Sequence, residues 1–299
     1  MTNIDKYDMN NEKRGNALII NIKKYVNNTH REREWSIRDV ENLTNTLTNL
    51  DFDIKLCQDP TKEQLESVMQ EQATLDHRNS DCFLCVIMSH GNQENIVTSD
   101  NEEISFEQIM APIKTCDSLV NKPKLFFIQA CRGENDAEFS SSKPRSSSAQ
   151  SISSNIDDES RDATDRDKNN TISNDSPQQN SKPQTTKIEN ESDLLVYYST
   201  LPNHLSFSKD ISKGTVFIKS LCEVFGTYAY KNLPKNNLSL SQMITKINES
   251  VMSQGVQIAD PVFRMKREVY FLPKNVSEIC KGHRNLSLLK INFLYMYSS

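Results

Sequence analysis

No stretch of this chain reaches the ~18 consecutive apolar residues that a membrane-spanning helix requires. Residues 1–14 are polar and lack the apolar centre of a secretion signal. Clustered Lys and Arg are missing as well. The 35 basic residues stand against 40 acidic ones, for a net charge of −5, and no basic footprint for nucleic acid results. The seven cysteines are irregularly spaced, several inside apolar runs. That pattern argues against a disulfide framework and for a reducing compartment. Cys82 and Cys85 have the spacing of a metal clip, but no matching pair recurs, and both sit in a strand pattern. No metal and no cofactor is implied; the expected setting is cytoplasmic, with neither membrane nor nucleic acid as partner.

What is present is an alternation of strand and helix patterns. Residues 17–22 read as a first strand, followed by a charged loop over 29–35. Val40, Leu43, Leu47 and Leu50 recur at three- and four-residue spacing, which predicts an amphipathic helix over 39–50. Residues 53–57 read as the next strand. Thr61 and Gln64 have the capping-box pattern for a helix running to about residue 75. A continuous apolar run over 82–88 is a buried strand, Ile96-Val97 with Asp100-Asn101 predicts a small hairpin, and 105–113 a short capped helix. After a strand into residue 131, apolar residues nearly vanish from 134 to 192, too few to offset the entropy of ordering. Structure is expected to resume with a strand at 194–200, helices over 214–230 and 238–251, and a last strand at 269–272. Such an alternation implies a mostly parallel sheet covered by helices. Residues 286–297 are apolar, too short to span a bilayer, and have no assigned role.

Two strands end in reactive side chains. The run Lys124-Leu125-Phe126-Phe127-Ile128 leads into Gln129-Ala130-Cys131-Arg132-Gly133, and the run 82–88 leads into Ser89-His90-Gly91. In an open α/β sheet the carboxyl ends of the strands are where ligands collect. If the two strands are parallel neighbours, Cys131 and His90 meet at one rim. A thiolate is the nucleophile, and a nearby imidazole activates it and later protonates a leaving amine. Cysteine at a strand end is otherwise an inert small hydrophobe; here the surrounding pattern favours the nucleophile. His30, His77, His204 and His283 lack such a motif and read as surface residues.

Gln129-Ala130-Cys131-Arg132-Gly133, with the histidine upstream, resembles the signature of the caspases, peptidase family C14. The resemblance runs from about residue 15 to about residue 274. It implies a caspase-like α/β three-layer sandwich: about six strands, mostly parallel, with helices on both faces. It further implies a short prodomain (1–14), a large subunit (15–133), a disordered processing linker (134–193), a small subunit (194–274) and an extension (275–299). The implied protein is an executioner-like zymogen acting in apoptosis, a homodimer of processed heterodimers activated by an upstream caspase. In caspases the last strand of the small subunit pairs with its copy across the two-fold. The expected activity is that of a cysteine endopeptidase cutting protein substrates after aspartate. His90 and Cys131 would be catalytic, with the backbone N–H groups of Gly91 and Cys131 as oxyanion donors.

The resemblance also implies two arginines and Gln129 around the substrate carboxylate. Arg33, six residues before Asp39, keeps the spacing of the first; the family's glycine two residues on is Trp35 here. At the second, this chain departs. Where caspases have Ser-Trp-Arg, it has Ser206-Phe207-Ser208; one alignment puts Ser208 at the arginine, another Lys209. Phe207 and Leu205 would keep the pocket's apolar wall. The expectation is a weakened or altered aspartate pocket. In the linker, Asp175 in Ile172-Ser173-Asn174-Asp175 and Asp165 in Asp162-Ala163-Thr164-Asp165 are candidate processing sites. The alternative reading is a weakly active or non-catalytic homologue that regulates other caspases by dimerisation. A caspase-fold endopeptidase with basic specificity ranks last, because nothing acidic replaces the missing arginine.

Overall fold

Eight strands follow one another among the described residues: β1 (Asn16–Asn21), β2 (Asp53–Gln58), β3 (Phe83–Met88), β4 (Asn95–Val97), β5 (Glu103–Ser105), β6 (Lys124–Gln129), β7 (Leu194–Tyr198) and β8 (Asp260–Arg264). The structure is a computed structural model that describes residues 5–133, 191–206, 211–229, 238–272 and 274. All of these belong to one compact unit. Six strands form one sheet in the order β2-β1-β3-β6-β7-β8, while β4 and β5 make a separate hairpin. Pairing is parallel from β2 through β7, and β8 runs antiparallel along β7.

Every side chain of β3 and β6 is buried, and all of β1 but Asn16. Strands covered on both faces need no polar alternation, which is why these runs are apolar throughout. Each fully buried Leu, Ile or Phe contributes roughly 1.5–3 kcal/mol before ordering costs. Successive residues serve opposite faces. Ala17, Ile19, Leu84, Val86, Leu125 and Phe127 share one core with Leu43, Leu47, Phe217, Leu221, Phe225 and Ile247. Leu18, Ile20, Phe83, Cys85, Ile87, Phe126 and Ile128 share the other with Leu65, Met69, Ile109 and Ile113.

Helices α1 (Ser36–Asn49), α4 (Val216–Tyr228) and α5 (Leu240–Ser253) supply the first of these layers; α2 (Lys62–Thr74) and α3 (Phe106–Lys114) supply the second. The predicted capping boxes are formed at Thr61/Gln64 and Ser105/Gln108, and a third stands at Ser239/Gln242. Each satisfies two backbone N–H groups that the first turn leaves over.

Three expectations need correction. Residues 269–272 are not a strand: the last strand among the described residues is β8, which ends at Arg264. Val269 and Phe271 are buried, so their alternation is real, but the segment next to them bridges the chain's beginning, where Tyr7 donates to the Glu268 carbonyl. Helix α1 starts three residues before the periodic pattern does, because its first turn carries the exposed Ile37 and Arg38. His77 is buried rather than superficial, its Nε2 2.8 Å from the Gln72 carbonyl and its ring edge-on to Phe83.

Candidate active site

Met88 of β3 pairs with Gln129 of β6, so both chains leave the sheet at the same level. His90 lies two residues beyond one, Cys131 two residues beyond the other. The turn that carries His90 is fixed from its far side by the hairpin. Val97 N–H donates to the His90 carbonyl at 2.9 Å, and Gly91 bridges Ile96 antiparallel. A Cβ on Gly91 would stand 2.5 Å from the Asn95 carbonyl oxygen, closer than a side chain tolerates. That accounts for glycine directly after the histidine.

His90 Nε2 is 2.8 Å from the backbone carbonyl of Arg31. A carbonyl only accepts, so Nε2 carries a proton and donates it. In the neutral ring Nδ1 then holds the lone pair. The ring lies against two others: Tyr25, with centroids 5.2 Å apart, and His30, stacked at 5.6 Å. His30 was expected at the surface without a partner; it is half-buried and covers the His90 imidazole.

Cys131 is half-buried, and its Sγ accepts the Ser206 N–H at 3.4 Å. Donors to sulfur favour the thiolate. At other thiols burial dominates, even at Cys222, which Thr46 hydrogen-bonds. Burial pushes Cys57 up to about 11 and Cys82 and Cys222 up to about 12, so these are packing residues. The six cysteines among the described residues are all free thiols.

Arg33 is buried, while Arg31, Glu32 and Glu34 on either side are exposed. Its Nη1 donates to the Ile22 carbonyl at 2.9 Å and meets Asn21 Oδ1 at 3.4 Å, both neutral oxygens. Among the described residues it forms no ion pair. Burial lowers its pKa, opposed by the nearby Tyr25, Asp39 and Cys131, but a guanidinium stays charged at any working pH. Gln129 is also buried: Nε2 donates to Ser206 Oγ at 2.6 Å, and Oε1 has no partner. A buried cation hydrogen-bonded only to neutral oxygens and an unsatisfied amide oxygen make a site suited to a polar guest.

Leu205 is half-buried, its carbonyl accepting the Thr200 hydroxyl. Phe207, Ser208 and Lys209, and the candidate processing sites Asp165 and Asp175, lie outside the described residues. Arg132 turns toward the ends of β7 and β8. It bonds the Thr200 carbonyl and Asp260, and stacks over the Tyr198 ring at 4.0 Å. Reading the sequence missed Arg31, Ser206, Tyr25 and His30. The first two act through backbone groups, which no side-chain pattern reveals.

A thiol and an imidazole thus stand at the rim of one parallel sheet, beside a buried cation. The caspase domain family model matches residues 14–270, and the chain belongs to that family. It is 28% identical over 283 residues to caspase-8 of Rattus norvegicus, covering 89% of this chain and 53% of that protein. It is also 28% identical to caspase-7 of Gallus gallus over 268 residues, covering 88% and 75%. The chain thus spans about half of the first relative and three quarters of the second. Among solved structures, caspase-1 from Spodoptera frugiperda superposes with a TM-score of 0.68 at 20% identity, covering 92% of this chain and 98% of that one. That likeness establishes the fold.

Proposed function

We propose that this chain is a cysteine endopeptidase that cleaves proteins after aspartate through Cys131 and His90, and that it acts in apoptotic proteolysis in the cytoplasm. The observation that carries this reading is Arg33. A buried guanidinium bonded only to neutral oxygens, beside a thiol hydrogen-bonded by a backbone N–H, fits a substrate carboxylate next to a nucleophile. In the proposed reaction the Cys131 thiolate adds to the carbonyl carbon after the aspartate. The oxyanion is held by the Gly91 and Cys131 N–H groups. His90 gives a proton to the departing amine, leaving a thioester. It then takes a proton from water as that water attacks, and the acid and the thiol are released. Arg33 and Gln129 hold the aspartate, with Leu205 and Phe207 as walls and Ser208 or Lys209 where a second cation would stand.

The proposed working form is a homodimer of processed heterodimers. Residues 15–133 form the large subunit and 194–274 the small one, separated at Asp175 or Asp165 by an upstream caspase. The edge strand β8 supports the dimer: among the described residues it has no neighbour on its outer side in the sheet, and Phe263 on it is 41% exposed. Such an edge is a template for pairing.

Ser208 favours a second reading. No arginine occurs anywhere from residue 167 to residue 263, so the small-subunit side of the pocket has no bidentate cation to offer. A homologue of little activity that dimerises with active caspases is the alternative. Purified protein is assayed on fluorogenic peptides varied at the residue before the scissile bond, with Cys131→Ala as control. Cleavage after aspartate that the control lacks supports the peptidase. Silence from protein already cut in the linker refutes it and supports the alternative.

A further inference from the structure

The ring against His90 carries a hydroxyl, and its bonds form a directed chain. Ser89 Oγ lies 2.6 Å from the Val97 carbonyl, an acceptor only, so the single Ser89 hydroxyl proton is committed there. Tyr25 Oη lies 3.0 Å from Ser89 Oγ and 3.4 Å from the Ile22 carbonyl; with the Ser89 proton committed, the phenol is the donor in the shorter pair, and Ile22 is its weaker second acceptor. The His90 backbone N–H in turn donates to Tyr25 Oη at 3.0 Å. One phenol thus closes a path from the His90 amide through Ser89 to β4.

Both peptides that flank His90 are consequently held. Val97 N–H holds the peptide after it, and Tyr25 Oη the peptide before it. The imidazole is held too: Nε2 by Arg31, and one side of the ring by a triangle with Tyr25, tilted at 5.2 Å, and His30, stacked at 5.6 Å, which themselves meet at 5.1 Å. Tyr25 is buried, so its hydroxyl has no ready exchange with water. Burial raises its pKa, which keeps the proton on the phenol. Tyr25, His30 and Arg31 all belong to the stretch between β1 and α1, the same stretch that delivers Arg33.

We infer that Tyr25 is a positioning residue for the His90 general acid–base, acting through its phenol oxygen on the His90 amide, with His30 stacked on the imidazole and packed against Tyr25. The inference rests on the proposed dyad but not on the substrate pocket. A preorganised base contributes to the transition state rather than to substrate binding, and Tyr25 has no part in holding the substrate carboxylate.

Tyr25→Phe keeps the ring and removes only the oxygen. It leaves a buried N–H without that acceptor, at a cost of about 1–2 kcal/mol, or a factor of about 5–30. Two readouts on the full-length protein are compared with wild type. The first is kcat and KM on an aspartyl peptide. The second is the rate at which the uncharged reagent iodoacetamide alkylates Cys131, followed by mass spectrometry of the peptide that contains it. The expected result is a fall of about 5- to 30-fold in kcat with KM within about twofold. Alkylation slows in the same variant, and His30→Ala does the same more weakly while His30→Phe restores the rate. An unchanged kcat and alkylation rate in Tyr25→Phe would overturn the inference. A rise in KM alone would do so too, since it would place Tyr25 in binding. Wild-type protein that cleaves no peptide yet shows Tyr25-dependent alkylation would refute the peptidase reading and support the positioning role. Alkylation no faster than that of a free thiol would overturn both.

Discussion

Asp39 gives the sharpest test of the physics of this site. It is fully buried on α1, where Oδ1 accepts the Thr215 N–H at 2.8 Å and Oδ2 has no partner. Burial raises its pKa from 3.8 to about 6, against the opposing pull of the Thr215 N–H and of Arg33. Between those two values the folded protein holds a proton that the unfolded chain has already lost. Stability therefore falls as pH rises through this window. The contribution is fully present below the unfolded value and gone above the folded one. Its full size is roughly 3 kcal/mol, of which about 1.4 kcal/mol is lost between about pH 5 and 7.5. Asp39→Asn removes the titration while keeping an acceptor for Thr215, and its amide hydrogens bring donors toward the unpartnered Ser36 hydroxyl one turn back. Urea unfolding is followed at Trp35, the only tryptophan, in wild type and variant at both pH values, each carrying Cys131→Ala to prevent autolysis. Other carboxylates titrate alike in the two proteins and cancel. The variant should gain about 1.4 kcal/mol on wild type from the lower pH to the higher. A difference that stays flat, or that moves in favour of wild type as pH rises, would show that Asp39 ionises at ease beside Arg33 and refute the reasoning.

Three further predictions address function. Arg33→Ala removes a buried cation near the nucleophile and should cost aspartyl peptides about 2–5 kcal/mol in kcat/KM, tens- to thousands-fold; a loss below fivefold would place the carboxylate elsewhere. Ser208→Arg should raise kcat/KM on the same peptides by at least tenfold, and no gain would count against a pocket lacking a second cation. Phe263→Asp puts a charge on the exposed edge of β8 and should shift processed protein from dimer to monomer in sedimentation velocity; an unchanged dimer would place the interface elsewhere.

Much of the fold was legible because its strongest signals are local. Apolar runs of strand length, capping boxes at Thr61 and Ser105, and a three-four spacing along α1 each needed no knowledge of the rest of the chain. Misreadings arose where long-range packing decides. In β8, Pro261 and the exposed Phe263 hide an edge strand, while buried Val269 and Phe271 mimic one. The chain's own beginning is the reason. Tyr7 bonds Asp193 at 2.6 Å and Glu268 through its backbone, so residues 268–271 lie under an N-terminal segment, outside the main sheet. Arg33 could not be told from Arg31 by composition; burial separates them, and only β1 and α1 together produce it. His30 sits in the same charged run, and its contact with His90 joins parts of the chain sixty residues apart.

The five-residue signature around Cys131 divides into distinct physical tasks. Gln129 ends β6 and turns its amide toward Ser206. Ala130 is small because the Gly91 turn closes on it: a Cβ on Gly91 would stand 3.5 Å from that of Ala130. Cys131 supplies the sulfur. Arg132 turns toward the ends of β7 and β8, half enclosed by the Tyr198 ring and paired with Asp260, which heads β8. Its bonds therefore join the loop that carries the nucleophile to the edge proposed for dimer pairing. Lysine would keep the charge there, and the Thr200 carbonyl and Asp260 are both reached from the single Nη1, but lysine would lose the planar stack on Tyr198. A motif read from sequence as catalytic is thus partly a brace. Its arginine is specified by the geometry of β7 and β8 rather than by the reaction.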